Sequence, residues 1–160
     1  AAQDLCQTRL RPLVDDVGRG GVPFRLYKLR TMVSGAETMG KGLAVDEGDD
    51  RITKLGRWLR RTSFDEVPNL INVLRGEMSL VGPRPFFEAD FASYQDHHFR
   101  RIDAKPGITG LWQVSGRSSV IDFEDVVYLD RQYIEQWSPW LDVSIMFRTL
   151  PAVVRREGAY

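Results

Sequence analysis

Hydrophobic positions recur at helical spacing in two consecutive segments near the middle of the chain. The segment RITKLGRWLRR, residues 51–61, spaces its apolar side chains three or four residues apart among Lys and Arg. It therefore predicts a basic amphipathic helix. Val67, Leu70, Ile71 and Leu74 repeat the spacing, and Gly76 follows as a stop signal. They predict a second helix of roughly two to three turns.

The remaining pattern predicts a small hairpin and further helices. A Gly-Gly turn and then strand-like alternation, with Phe24, Leu26 and Lys28 on one face, predict a short hairpin within residues 18–32. The segments SLVGPRP and KPGITGLWQVSGR have the composition of loops. Further helices are predicted near Phe87 to Arg101, from Asp122 to Trp137, and from Pro139, as first helical residue, toward Arg156. The expected fold is a mostly helical α+β single domain with a small N-terminal β-hairpin and amphipathic interfacial helices.

Composition and charge argue against several classes of partner and metal site. The 160 residues fit one globular domain, and 22 Lys plus Arg balance 22 Asp plus Glu. Neutral charge and the lack of a recognisable binding module argue against nucleic acid as a partner. The single cysteine, Cys6, excludes an internal disulfide and a Cys-rich zinc site. The adjacent His97 and His98 make a poor metal set and are interpreted as surface residues.

Apolar runs are too short for a spanning helix. The best candidate, residues 141–154, is interrupted by Asp142, Arg148 and Pro151, whereas a span needs about 20 apolar residues. The basic helix at 51–61, with Trp58, could instead lie on an anionic bilayer. The alternative is a core-facing helix with a solvated basic face, which periodicity alone favours. Trp137 and Trp140 are likewise expected to be packing residues.

The densest polar cluster is RRTSFDE, residues 60–66, at the start of the second predicted helix. Ser63 and Glu66 have capping-box spacing, whereas Pro68 prefers the first helical position and would move the cap to Val67. In both cases Asp65 lies at a helix N-terminus, where the dipole favours an anion by roughly 0.3 to 1 kcal/mol. Capping alone is one interpretation of this cluster.

Catalysis is the other interpretation. An ionised Asp beside a bound phosphate can act as a nucleophile if cations offset the repulsion between them. Glu66 could hold a divalent metal, and Arg60 and Arg84 could bind phosphoryl oxygens. Pro83 and Pro85 stiffen the backbone around Arg84, which favours presentation of its guanidinium, although a surface turn with an incidental arginine fits the same residues.

Together these segments resemble the bacterial sugar transferases, also called monotopic phosphoglycosyl transferases or polyprenyl-phosphate hexose-1-phosphate transferases. The resemblance runs from about Gly18 to Tyr160. It rests on FRLYKLRTM, DDRITKLGRWLRRTSFDEVPNLINVLRGEMSLVGPRP, KPGITGLWQVSGR, YLDRQYIEQWSPWLDV and TLPAVVRREGAY, in the family's order. It implies transfer of a sugar 1-phosphate from a UDP-sugar to a polyprenyl phosphate such as undecaprenyl phosphate, with release of UMP, at the start of glycan or exopolysaccharide assembly.

The resemblance also implies roles for individual residues. Asp65 would be the covalent nucleophile of a ping-pong reaction through an aspartyl phosphosugar, and Glu66 would hold Mg²⁺. Phosphate binding would fall to three cationic residues: Lys28, Arg60 and Arg84. Three further residues would bind the nucleotide or support the site: Gln113, Arg117 and Asp130.

The resemblance places the chain at the cytoplasmic face of the bacterial inner membrane. Family members carry a membrane-entering helix ahead of the segment VGRGG, and AAQDLCQTRLRPLVDD stands there instead. We therefore expect a cytosolic catalytic domain, residues 1–160, without that helix, through trimming or divergence, and weak transfer to lipid. Glucose or galactose is the favoured sugar.

Two rival functions remain open at this stage. One is a catalytically idle nucleotide-sugar or lipid-binding module, against which the intact Asp65 and Glu66 argue. The other is a phosphatase with an Asp nucleophile, but the Asp-x-Asp spacing of one large phosphatase class is absent around Asp65.

Overall fold

The computed structural model describes residues 10–36, 39, 49–87, 94–116 and 122–154. These residues form an α+β fold, as expected, with five short strands and five α-helices in the described part. Strands β1 (Leu10–Val17) and β2 (Pro23–Leu29) pair antiparallel. The predicted hairpin is confirmed, but its first strand precedes Gly18. A 3-10 turn, Arg19–Gly21, joins the strands, and Gly20 and Gly21 supply its positive φ angles of 70° and 79°.

Three short strands lie in segments whose composition predicts loops or a helix. Strands β3 (Ser79–Val81) and β5 (Gly107–Thr109) pair in parallel, and β4 (Phe86–Phe87) pairs with β1. The loop prediction was wrong for SLVGPRP and KPGITGLWQVSGR, because strands of three residues are too short to show alternation. Their pairing depends on contacts between distant segments, which local patterns do not contain.

Helix α1 (Lys54–Thr62) begins three residues later than predicted. Arg51 is buried in an ion pair with Asp49, and Ile52 forms a β-bridge to Met32. The Thr53 side chain then caps the helix by accepting a hydrogen bond of 2.9 Å from the Gly56 N–H. The basic amphipathic helix is therefore confirmed, but residues 51–53 form a turn and a β-bridge ahead of it.

Helix α2 (Asn69–Leu74) has its apolar residues on the outside. Asn69 and Asn72 are buried, whereas Val67, Leu70, Ile71 and Leu74 are exposed, Leu74 to 89%. The Asn72 side chain donates to the Arg25 carbonyl and to Glu77 and accepts from the Tyr27 N–H. The helix therefore packs through hydrogen bonds against β2.

The second half of the chain carries the remaining helices. The expected helix near residues 87–101 is found in part, as the 3-10 helix Asp96–Asp103, whereas Phe87 lies in β4 and residues 88–93 lie outside the described residues. Its capping contacts join Gln95 and His98. The short helix α3 (Leu111–Val114) was not predicted, whereas α4 (Phe123–Glu135) and α5 (Pro139–Val154) were.

A small core lies between these elements. Val81 of β3, Tyr133 of α4 and Ile145 of α5 are buried together. The Tyr133 hydroxyl donates to Asp142 at 2.8 Å and lies 3.2 Å from the Val81 carbonyl oxygen. Trp137 and Trp140 are exposed, so the expectation that they are packing residues was wrong. In the described part of the chain, no helix combines the length and the apolar character that a membrane span requires.

Candidate functional site

The acidic pair Asp65 and Glu66 lies on a 3-10 helix, Phe64–Glu66, between α1 and α2. Ser63 ends α1 in the left-handed region, with φ 55°, so the chain turns sharply before the pair. The Ser63 side chain makes no cap, and Pro68 stands immediately before α2. The capping-box interpretation was therefore wrong: Asp65 lies in a separate 3-10 turn, where it is only 3% exposed.

Cations from two other elements meet this pair. The Lys28 Nζ, on β2, lies 3.2 Å from Asp65 Oδ2 and 3.2 Å from Glu66 Oε1. An Arg84 guanidinium nitrogen, on the loop after β3, lies 3.5 Å from the same Glu66 oxygen. Three segments that are distant in the sequence therefore converge on one pair of carboxylates.

Arg60 adds a third cation beside the pair. It lies in the last turn of α1, and its Nε donates a hydrogen bond of 2.8 Å to the Thr31 hydroxyl. Burial lowers the pKa of Arg60 below its usual value, while the charge of Asp65 opposes that shift. Three cations thus accompany two carboxylates, and the surplus of positive charge suits an anionic ligand.

Glycines hold the Arg84 loop close to the residues on both sides of β5. A Cβ atom on Gly82 would lie 2.3 Å from the Lys105 carbonyl oxygen, and one on Gly110 would lie 2.4 Å from the Gly82 carbonyl oxygen. These backbones approach closely because neither glycine has a side chain. This contact was not predicted from the sequence. Its signal in the sequence was the Gly and Pro content of both segments, which was interpreted as loop composition.

Of the three predicted supporting residues, the structure describes two, and both are buried. Gln113 of α3 is buried, and neither atom of its amide has a hydrogen-bond partner among the described residues. Arg117 lies outside the described residues. Asp130 of α4 forms a buried ion pair with Arg101, whose guanidinium lies over the Phe86 ring. Burial raises the pKa of Asp130 to about 6, although the charge of Arg101 opposes the shift.

The two histidines belong to a separate cluster. His98 is buried, so its interpretation as a surface residue was wrong. Its Nδ1 accepts from the Gln95 N–H, and its Nε2 lies 2.8 Å from Glu124, which His97 also contacts at 3.0 Å. Hydrogen bonds to His97 and His98 lower the pKa of Glu124. These contacts join the 3-10 helix Asp96–Asp103 to α4.

The acidic pair has the donor chemistry that Mg²⁺ prefers. Proteins typically hold this ion through one or two carboxylates together with substrate phosphates. Glu66 is the more accessible member, with 17% side-chain exposure against 5% for Asp65. Its neighbours, Lys28 and Arg84, are cations that a bound phosphate would draw toward itself. The residues present therefore fit a magnesium site centred on Glu66.

Comparisons with known proteins cover the whole of this site. The family model for bacterial sugar transferases matches residues 14–156. The chain is similar to galactosyl transferase CpsE of Streptococcus agalactiae, with 47% identity over 89% of this chain and 34% of the relative. It is also similar to undecaprenyl-phosphate galactose phosphotransferase of Salmonella typhimurium, with 44% identity over 90% of this chain and 33% of the relative.

A third relative carries a name with a different sugar. It is UDP-glucose:undecaprenyl-phosphate glucose-1-phosphate transferase of Caulobacter vibrioides, 44% identical over 89% of this chain and 56% of the relative. The chain thus spans about a third of the length of the first two relatives and about half of the third.

Proposed function

Because the chain belongs to the bacterial sugar transferase family, we propose that it transfers a sugar 1-phosphate from a UDP-sugar to a polyprenyl phosphate and releases UMP. The observation that carries the proposal is the position of Lys28 and Arg84 on the pair Asp65 and Glu66. The names of two relatives specify galactose and glucose, and a hexose of this kind is the proposed sugar. The product would begin the assembly of a glycan such as an exopolysaccharide.

The first step would form a bond between Asp65 and the substrate. A carboxylate oxygen of Asp65 attacks the phosphorus that carries the sugar, the bond from that phosphorus to the bridging oxygen breaks, and UMP leaves with the bridging oxygen. Lys28, Arg60 and Arg84 offset the charge of the diphosphate while the anionic nucleophile approaches it. Burial of Asp65 in this cationic surrounding supports its role as the attacking group.

The second step would transfer the phosphosugar to the acceptor. An oxygen of the polyprenyl phosphate attacks the same phosphorus, a new diphosphate bond forms, and the Asp65 carboxylate is released unchanged. The acceptor oxygen is already anionic and needs little help from a general base. The two steps together constitute a ping-pong reaction.

Magnesium is the proposed cofactor. Bound at Glu66, it would supply a positive charge beside the phosphoryl oxygens. Glu66 would orient these oxygens relative to Asp65, its neighbour in the 3-10 helix. Lys28 and Arg84, which contact Glu66 in the structure, would turn toward the substrate phosphates.

An anionic membrane surface is the proposed location, at the cytoplasmic face of the inner membrane. Exposed apolar side chains run from α1 through the 3-10 turn to α2, and we call them the apolar surface: Trp58, Phe64, Val67, Leu70, Ile71 and Leu74. Trp58 and Phe64 stack with their ring centroids 5.8 Å apart. Basic side chains of α1 flank this surface, which is typical of helices that lie in the headgroup layer.

The experiment that tests the proposal measures UMP released from UDP-galactose and UDP-glucose without any acceptor, with and without Mg²⁺. A covalent first step predicts a burst of about one UMP per chain. Asp65→Asn should reduce the burst rate at least about a thousandfold, and Glu66→Gln should first weaken the dependence on Mg²⁺.

The matched control is Asp125→Asn, the same substitution at an exposed residue of α4, which should retain the burst. A fully active Asp65→Asn protein would contradict the proposal. Continuous release of free sugar phosphate without a burst would instead favour the phosphatase alternative.

A further inference from the structure

An apolar groove lies on the side of Glu66 that faces α5. It has a volume of about 190 Å³ and is lined by Ser63, Glu66, Val67 and Leu70 together with three residues of β5 and α5: Ile108, Thr109 and Thr149. Most of its lining surface is apolar, although Ser63, Glu66 and the two threonines also contribute to it. The hydroxyls of Thr109 and Thr149 bond to each other at 2.8 Å, and Thr149 also donates to the Ile145 carbonyl. Both hydroxyls therefore already have hydrogen-bond partners within the protein and do not require a polar ligand.

The groove connects two features that the proposed reaction needs. Val67 and Leu70 belong both to its wall and to the apolar surface, so the groove opens where a lipid would meet the protein. Glu66 also lines the groove, and its carboxylate contacts Lys28 and Arg84. A molecule that followed the groove inward would bring an apolar chain past Leu70 and an anionic head toward these cations.

We propose that this groove holds the first isoprene unit of the polyprenyl phosphate acceptor, and this inference rests on the proposed function. Its volume equals about six water molecules at roughly 30 Å³ each, which accommodates a five-carbon unit. Burial of that unit removes apolar surface from water and fixes the phosphate near Asp65. The groove thereby selects phosphates that carry an apolar chain over small phosphates.

The test uses two acceptors in solution, without vesicles or detergent. One is a water-soluble ten-carbon prenyl phosphate, and the other is methyl phosphate, which has no chain to bury. The phosphosugar adduct is first formed with UDP-sugar, and its discharge by each acceptor is then measured. The wild type should prefer the prenyl phosphate about a hundredfold in kcat/KM.

Two substitutions in the groove should reduce this preference. Leu70→Gln keeps the size but makes the wall polar, and it should lower the preference about tenfold. Thr149→Leu should fill the groove and lower the preference by a similar factor. The control is Leu80→Gln on β3, because Leu80 is 46% exposed and Leu70 is 44% exposed, but Leu80 does not line the groove.

The outcomes distinguish failure of the groove assignment from failure of the proposed function. If no variant and no wild type releases UMP, the proposed function fails. If UMP release is normal and both groove variants keep the wild-type preference, the groove assignment is overturned. It is equally overturned if the wild type discharges to both acceptors at one rate, since the groove would then hold another apolar group, such as a bilayer acyl chain or a further segment of protein.

Discussion

At the scale of single residues, charge and hydrogen-bond capacity determine the site. Lys28 lies 3.2 Å from a carboxylate oxygen of Asp65 and 3.2 Å from one of Glu66, so it offsets negative charge at the pair and supplies a donor for phosphate. The identity of these residues was readable from sequence, because an Asp-Glu pair near arginines already suggests phosphate chemistry. The contact with Lys28 was not readable from spacing, since 37 positions separate it from Asp65 (65 minus 28).

Replacement of Lys28 tests this contact. Lys28→Met keeps an unbranched apolar stem and removes the ammonium group that lies between Asp65 and Glu66. The rate of UMP release should fall about a hundredfold, as is typical when one charge-stabilising donor is lost. Lys105→Met, the same substitution at an exposed lysine, should leave the rate unchanged. Equal rates for both variants would exclude Lys28 from the reaction.

At the scale of elements, α2 shows where sequence patterns stop being informative. The periodicity of Val67, Leu70, Ile71 and Leu74 correctly predicts an amphipathic helix, but it does not state which face points inward. The polar face does so here, because Asn72 satisfies backbone groups of β2 that would otherwise be buried without partners. The apolar face remains outside and contributes to the apolar surface.

This inverted orientation predicts a large loss of stability for one substitution in the helix and a small change for another. Asn72→Ala removes three hydrogen bonds from a fully buried position and should lower the free energy of unfolding by about 2 to 3 kcal/mol. Leu74→Ala should change it by less than about 0.5 kcal/mol. Urea denaturation followed by tryptophan fluorescence measures both. A larger loss for Leu74→Ala would mean that the apolar face is the packed one.

At the scale of the whole molecule, local patterns predicted the long elements and missed the contacts that join them. Asp122 and Pro139 are strong helix-start signals, and α4 and α5 begin directly after or at these residues. Strands β3 and β5 are three residues each and exist only because Gly82, Gly107 and Gly110 let two backbones meet. Such contacts join segments that are distant in the sequence, so a local window of the sequence does not reveal them.

The apolar surface predicts binding to anionic vesicles. Leu74→Gln should weaken binding about fivefold to tenfold, because a side chain that would enter the headgroup layer becomes polar. Val22→Gln is a suitable control, since Val22 is exposed at the hairpin turn and does not belong to the apolar surface. Cosedimentation with vesicles containing phosphatidylglycerol measures the difference. Equal losses for the two variants would contradict the assignment of the surface.

The most direct measurement of the central claim is mass spectrometry of the chain after incubation with a UDP-sugar and no acceptor. The account predicts a gain of one phosphosugar per chain, located on the peptide that contains Asp65 and absent from the Asp65→Asn protein. A phosphosugar on any other residue, or UMP release with an unmodified chain, would contradict it.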